Sequence, residues 1–480
     1  MRVAGSPYNL LKDSEITAIH QGALRILAEM GMEIQNAKLL TACETAGFSL
    51  DYVHQRVRFP ASAVELFIAE AEKFDWENLV PSVSATAGVY HGLYHDPETG
   101  KLLPWTEERL ASYCALANDL PNVNGCSVLG SRVPVPAPLE PLYERYTCWK
   151  YGAAEGGSVG LDAVCPYLME LYQVLADHRR VPLREVFYAN VYLVPPMKLG
   201  RHEAYQVAYF WERGLRVGIG DMYAMGASAP VTVAGAVTLN LAEQLALCML
   251  NSALYNTKKL HLGCSLSPLD MRTMIYPFGR PESVVTNLMM AQLARFYGAS
   301  YSGHGGLTTA KLPSAEAGFQ KAYTAIPILL AGGSFWMDAG LLSCDEVNSP
   351  VQMILDNEFL GALKHLCTSF EISEDTLALD TILAVGPGGG YIAQPHTARY
   401  FRSEQWQPQL WTRSMLAPWL EAGSQLDVDL ARERILDLDR GGPPVRQISS
   451  SLEADLLRVI TTARRALVEE RKIDGQFTLG

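Results

Sequence analysis

The chain has 480 residues, of which 49% are hydrophobic and 19% charged, a composition that can bury a large core and excludes a disordered chain. Its 39 basic and 51 acidic residues leave a net charge of −12, which argues against non-specific binding to nucleic acid. Nine scattered cysteines form no C-x-x-C pair and read as reduced, buried hydrophobes.

In chain order, residues 1–85 are expected to form a mainly helical N-terminal region. Leu24, Ile26, Leu27 and Met30 recur with helical periodicity, as do Val64, Leu66, Phe67, Ala69 and Ala71. Between them, 47–51 and 56–60 predict a turn and a small strand. No basic stretch followed by an apolar one opens the chain, so no signal peptide is expected. Residues 86–120 read as a connecting segment: a Tyr/His/Gly/Pro-rich hairpin or loop up to Trp105, then a helix.

From 121 to 480, strand-like and helix-like runs alternate. Strands are predicted at 123–129, 157–161, 185–191, 215–220, 259–264, 299–302, 334–339 and 381–385, with helices in the gaps. Eight alternations over roughly 270 residues predict an α/β fold, a TIM (β/α)8 barrel followed by C-terminal helices. The most apolar long run, 231–250, carries Asn240, Glu243 and Gln244 and reads as a buried helix rather than a membrane span. The protein is therefore expected to be soluble and cytoplasmic.

In such a barrel, chemistry belongs at the C-terminal ends of the strands. Asp221, Met222 and Tyr223 follow the fourth predicted strand, Ser265 and Ser267 the fifth, and His304 and Thr308 the sixth. Trp336 and Asp338 lie in the seventh, and Gly388, Gly389, Gly390 and Tyr391 follow the eighth. The run 303–311, Gly-His-Gly-Gly-Leu-Thr-Thr-Ala-Lys, is the most informative, because glycines between a strand and a helix let backbone amides approach a bound group. Neither nucleotide-binding glycine pattern can be read there. Other constellations fail. His91 and His95 are spaced i, i+4 without a predicted helix or a third ligand, and His261 with Cys264 lacks a second ligand pair. Residues 156–160 spell G-x-S-x-G, but Ser158 falls inside a predicted strand instead of on a sharp turn after one. No bound metal is expected.

Many short motifs in register resemble the trimethylamine methyltransferase family, and the resemblance covers nearly the whole chain. They are 27–33; Asp96, Thr99 and Gly100 with Pro104 and Thr106; 229–236; 270–273 with Gly279, Pro281 and Glu282; 292–298; 340–343; Ser349 and Pro350 with 356–358; 386–389; and His396 with Thr397. The resemblance implies a TIM barrel that passes a substrate methyl group to cobalt(I) of a separate corrinoid protein, with the cobalamin carried by that partner. Two departures stand out. His304 replaces an expected glycine, and the loop that holds pyrrolysine in some members has only ordinary residues here, among them Thr308, Thr309 and Lys311. Members without pyrrolysine include glycine betaine methyltransferases. A glycine betaine:corrinoid methyltransferase of methanogenesis or one-carbon metabolism is therefore expected, with proline betaine, carnitine or butyrobetaine as close alternatives. Competing classes are a barrel that only binds a small molecule and a phosphate-recognising lyase or isomerase.

A quaternary ammonium already carries a neutral amine as its leaving group, so the protein's task is alignment and desolvation. A trimethylammonium head calls for aromatic faces. Tyr94, Tyr223, Trp336 and Tyr391 are the candidates, with Asp338 as an acidic complement. A betaine carboxylate could be received by His304, Arg272 or the amides of Gly305 and Gly306, with Thr308 and Thr309 in the same loop. Gly388 and Gly389 could fit the periphery of the corrinoid. A homo-oligomer is expected.

Overall fold

The computed structural model describes residues 9–79, 82–90, 92–128, 135–152, 157–368, 370–439 and 447–470. Helix Asp13–Arg25 runs into a π-turn, Ile26–Met30, that ends at Gly31 with φ +67°. A Cβ at Gly31 would lie 2.3 Å from the Val57 carbonyl oxygen, so only glycine lets the chain turn there into the strand Met32–Ile34. That strand pairs antiparallel with Arg56–Arg58 and parallel with Lys198–Leu199, stitching the N-terminal region to the body. The turn and small strand expected at 47–60 are thus present, as strands Ser49–Asp51 and Arg56–Arg58.

The body is a mixed α/β fold with parallel sheets. Its parallel strands are β1 (Val83–Val89), β2 (Cys126–Val128), β3 (Asn190–Tyr192), β4 (Gly218–Gly220), β5 (His261–Cys264), β6 (Ser300–His304) and β7 (Ser334–Asp338). Five make one sheet in the order β5-β6-β7-β1-β2. β3 pairs with β4, and Ser158 bridges in parallel to Asn190 of β3. The last of these strands therefore lies beside the first, with Phe335 opposite Val83 and Asp338 opposite Thr86. Helices α1 (Val233–Tyr255), α2 (Pro281–Tyr297) and α3 (Ala315–Leu330) lie between strands, and α4 (Pro350–Leu366) follows the last one.

Two expectations are corrected. Residues 381–385 are helical, within Leu379–Val385, and Gly386 at φ +66° ends that helix. A short apolar run reads equally as strand or helix, and the glycine after it suits both readings. The missing strand is β1, inside a stretch that reads partly as helical region and partly as hairpin. Its sequence, Val-Ser-Ala-Thr-Ala-Gly-Val, is made mostly of small residues that give little β signal. A hairpin does follow β1, with Leu93–His95 antiparallel to Leu102–Leu103. His91 lies outside the described residues, as do Gly156 and Leu129.

Helix α1 is long and apolar enough to cross a membrane, but 78% of its most apolar window is buried inside the protein. Asn240 and Glu243 are fully buried on it, as expected of a core helix. By contrast, helices Glu374–Leu377, Leu379–Val385, Pro395–Glu404 and Leu416–Glu421 contain no buried residue, and Ile392 between them is 94% exposed. The chain returns to the body through Asp427–Asp439, which packs on α4 and buries Ala431 and Ile435, and then through Ser450–Arg464, which buries Leu456, Val459 and Ile460 against helices Glu140–Lys150 and Cys165–Arg179.

Candidate functional site

A cavity of about 580 Å³ runs along the parallel strands, lined by the first and the last residues of β3, β4 and β5 alike. Tyr90 reaches it from the end of β1, Asn190 and Tyr192 from β3, and Asp221 and Met222 from the end of β4. Gln244 comes from α1, His261 and Cys264 from β5, Ser302 and His304 from β6, and Trp336 from β7; Phe278 and Asp345 come from loops. Four aromatic rings (Tyr90, Tyr192, Phe278 and Trp336) thus surround one space, together with two imidazoles and two carboxyls.

The β6–β7 register explains its best-ordered wall. His304 and Trp336 are opposite each other in adjacent parallel strands, so their side chains project to the same face. Their rings stack at 3.7 Å between centroids and 12° between planes, and Phe278 meets the imidazole edge-on at 5.7 Å. Trp336 stays 44% exposed, one ring face covered by His304 and the other left to the cavity.

Below that wall sits Asp338, buried at the end of β7 and accepting a 3.2 Å hydrogen bond from the Tyr90 hydroxyl. His304 Nε2 is 3.8 Å from Asp338 Oδ2, close enough for an ion pair by distance alone. Burial pulls the imidazole down to about 3, so it is neutral at ordinary pH and the contact is not an ion pair. Its Nε2 has no hydrogen-bond partner. Burial also pushes Asp338 up to about 6, against the hydrogen bond from Tyr90 and the charge of Lys321.

Asp345 reaches the cavity through an uncommon turn. Ser343, Cys344 and Asp345 have φ of +55°, +52° and +74°, three successive non-glycine residues in the left-handed region. Each such residue costs about 1 kcal/mol or more. The turn is held by Ser343 N–H to Ala310 O at 2.9 Å, Ser343 Oγ to Glu346 Oε2 at 2.8 Å, and Phe278 N–H to Cys344 Sγ at 3.4 Å. Burial, and secondarily the charge of Asp338, push Asp345 up to about 7. A niche of about 10 Å³, the size of one water, lies between the two carboxyls and the loop at Gly306 and Thr308.

A second acidic pair lies under the opposite wall. Asp221 accepts from Gln244 Nε2 at 2.9 Å, and Glu243 accepts from the Met197 amide at 2.6 Å. Burial, with the charge of Asp221, raises Glu243 to about 8. His261, held by Ser300 Oγ at 2.9 Å and Ser302 Oγ at 3.0 Å, is lowered by burial and stays neutral.

Of the residues expected at the site, His304 and Trp336 line the cavity, and Asp338 stands directly behind them. The Gly-rich loop is not an open anion nest. Gly305 donates its N–H to Trp336 O, Leu307 to Thr324 Oγ1 and Thr309 to Gln320 Oε1. Gly306, at φ +69°, must be glycine because a Cβ would meet Met337 Sδ at 2.7 Å. Thr308 is buried with its hydroxyl on Gln320, and Thr309 is tied to Gln320 and Glu316, so α3 anchors both threonines away from the cavity.

The other aromatics go elsewhere. Tyr94 packs at 5.2 Å on Trp105 in the hairpin. Tyr223 is fully buried beside Glu243, because the chain leaves β4 and starts a new strand, Tyr223–Met225, which pairs with Leu266–Pro268. Tyr391, Gly388 and Gly389 lie on the exposed C-terminal stretch and are not among the cavity's lining residues. Arg272 is exposed and likewise not on the cavity wall. Sequence reasoning misses Tyr90, Tyr192, Phe278 and Asp345. Only Tyr90 carries a usable signal, as the first residue after the small-residue strand β1. Among the described residues no group of three or more His, Cys, Asp or Glu could hold a metal ion.

Two relatives of the chain are methyltransferases named for small amines. The trimethylamine methyltransferase MttB of Desulfitobacterium hafniense (strain DSM 10664 / DCB-2) is 24% identical over 465 residues, covering 91% of this chain and 90% of its own. The glycine betaine methyltransferase of D. hafniense (strain Y51) is 26% identical over 430 residues, covering 86% and 88%. A solved structure titled "Crystal structure of the hydroxylamine MtmB complex" covers 95% of this chain and 94% of its own, but at TM-score 0.46 and 11% identity it is too distant to establish the fold. The family described as "Trimethylamine methyltransferase (MTTB)" matches residues 2–82 and 166–442, more than half of the sequence, so the chain belongs to that family of methyltransferases.

Proposed function

We propose that the protein removes a methyl group from a quaternary ammonium compound and passes it to cob(I)alamin on a corrinoid protein. The observation that carries this reading is the ring of Tyr90, Tyr192, Phe278 and Trp336 around one cavity. Each cation–π contact with an ammonium group contributes about 0.5–2 kcal/mol, and a cavity lined by rings removes the water that would otherwise shield the charge. Cobalt(I) supplies the nucleophile when the partner is docked. Half-exposed Tyr192 and Met222 give the cavity an apolar lip for a flat macrocycle.

Glycine betaine is the substrate favoured by the 26% identical relative, with proline betaine, carnitine and butyrobetaine next. The described lining offers a carboxylate no lysine or arginine, and both lining imidazoles are neutral. A betaine therefore binds head-first, its carboxylate toward the opening. The parallel order of β1–β7, the bridge at Ser158 and the β7–β1 pairing support a (β/α)8 barrel, with the mainly helical N-terminal region laid against it. The exposed apolar side chains Ile372, Leu383, Ile392 and Met415 support a homo-oligomer. A cytoplasmic location belongs to the same reading.

The test is a panel of amines mixed with the protein and free cob(I)alamin, followed by the absorbance of methylcobalamin. Quaternary amines are expected to give methylcobalamin and trimethylamine is not, since the pyrrolysine loop has only ordinary residues. No methylcobalamin from any quaternary amine, or comparable turnover of trimethylamine, overturns the reading.

A further inference from the structure

The tight hairpin that joins Leu341–Leu342 to Val347–Asn348 accounts for the left-handed backbone at Asp345, but not for the direction of its carboxyl. The three left-handed residues of its turn could be avoided by a glycine or a longer loop, yet they are kept, and the result is a carboxyl aimed into an aromatic cavity. A second carboxyl, Asp338, stands behind it, with a niche the size of one water between them. His304, only 9% exposed and on the same cavity wall as Asp345, holds an unpartnered Nε2 3.8 Å from Asp338 Oδ2. Two carboxyls on one niche, with an unsatisfied imidazole nitrogen beside one of them, are unfavourable in a closed protein and favourable once a positive charge enters.

We propose that Asp345, backed by Asp338, is the anionic wall that selects a positively charged substrate, and that the entering cation displaces a proton from this pair of carboxyls. The inference rests on the ammonium reading of the cavity and adds the group that enforces it, together with a proton released on binding.

The surrounding groups support this account. On β7, Asp338 is the charge that raises Asp345. From the end of β1, Tyr90 donates to Asp338, and burial, then the charges of Asp338 and Asp345, hold its phenol protonated. Burial keeps Tyr276 protonated as well, with Asp345 a lesser contributor. The nearby cation Lys311 acts on Cys344 within the turn, and Lys321 acts on Asp338 from behind. Among the described residues no lysine or arginine acts on Asp345 itself, so a bound cation would fill that role. The sign follows. A cation favours the ionised carboxyls and expels their proton, so affinity for the cation falls as pH drops through about 7 toward 6.

Titration calorimetry tests this without any methyl transfer. Choline and its neutral carbon isostere, 3,3-dimethylbutan-1-ol, are titrated at about pH 6.5 in two buffers of different ionisation enthalpy. The wild type is expected to release a fraction of a proton, at most about one, with choline and none with the isostere. Asp345→Asn keeps a residue type that tolerates the left-handed region. It should weaken choline about tenfold, leave the isostere unchanged and abolish the proton release. Asp338→Asn should keep choline binding and move its pH dependence to lower pH. Choline binding without proton release by the wild type, or equal choline affinity in Asp345→Asn, overturns the inference. If Asp345→Asn does not fold, the wild-type proton count decides alone. If the wild type binds no quaternary amine at all, the functional reading fails first.

Discussion

Trp336 and His304 face each other across two adjacent strands, His304 at the end of β6 and Trp336 in the middle of β7, and the sequence is enough to place both in strands. Both line the cavity. The sequence does not show that burial holds His304 neutral at about 3, and a neutral, stacked imidazole is a poor carboxylate receptor. The expected carboxylate pocket at Gly305 fails for a similar reason, because its amide belongs to the β6–β7 ladder. Asp345 is illegible because nothing in Ser-Cys-Asp-Glu announces three left-handed residues; the tight hairpin 341–348 and its bond to Ala310 impose them. Since Trp336 is half-exposed and supported from one side only, Trp336→Leu should leave the thermal midpoint nearly unchanged. It should weaken quaternary ammonium binding by about 0.5–2 kcal/mol, roughly two- to thirtyfold. Calorimetry on the folded variant checks this, and unchanged affinity would make Trp336 a packing residue.

At the level of elements, strongly patterned pieces are legible and weakly patterned ones are not. Strands near 261, 300 and 334 emerge as short runs between long helical patterns, two of them with aromatic residues (Tyr301, Phe335 and Trp336), and α1 stands out by its length and by the polar residues that argue against a membrane. β1 is hidden by its small residues, and without it Tyr90 has no place at a strand end. The helix at Leu379–Val385 reads as a strand because seven residues are too few for periodicity to decide. Helix α1 also carries a pH-dependent liability. Glu243 has its folded pKa raised from 4.5 to about 8 by burial and by Asp221. Folding therefore favours its protonated form; the stability it contributes is full below about 4.5 and is lost as pH rises through about 8. Glu243→Gln, which removes that titration, should lose less stability than the wild type between pH 6 and 9. Urea unfolding at several pH values measures the difference, and parallel curves for the two proteins would show that Glu243 does not titrate in this range.

For the whole molecule, the stretch from Phe370 to Leu426 differs from the rest. Four short helices with no buried side chain do not hold themselves in place, since isolated helices of that length are marginal in water. Exposed Ile372, Leu383, Ile392 and Met415 form an apolar surface of the kind that marks an interaction site. A second copy of the chain is the expected cover. Light scattering should give a multiple of the single-chain mass, and Leu383→Asp combined with Ile392→Asp should reduce it to one chain while the far-ultraviolet dichroism is kept. A wild type that is monomeric at micromolar concentration would refute this.

The pairing of β7 with β1 also sets a schedule for making the protein. Tyr90 leaves the ribosome early, and Asp345 follows about 255 residues later, roughly 13–50 s at about 5–20 residues per second. Throughout that interval one edge of β1 has no neighbour, because the strand that covers it has not been synthesised. An open parallel edge is a template for wrong partners. The nascent chain thus carries an adhesive strand for most of its synthesis, and its cavity comes into being only at the last pairing, when both ends of the wall are on hand at once.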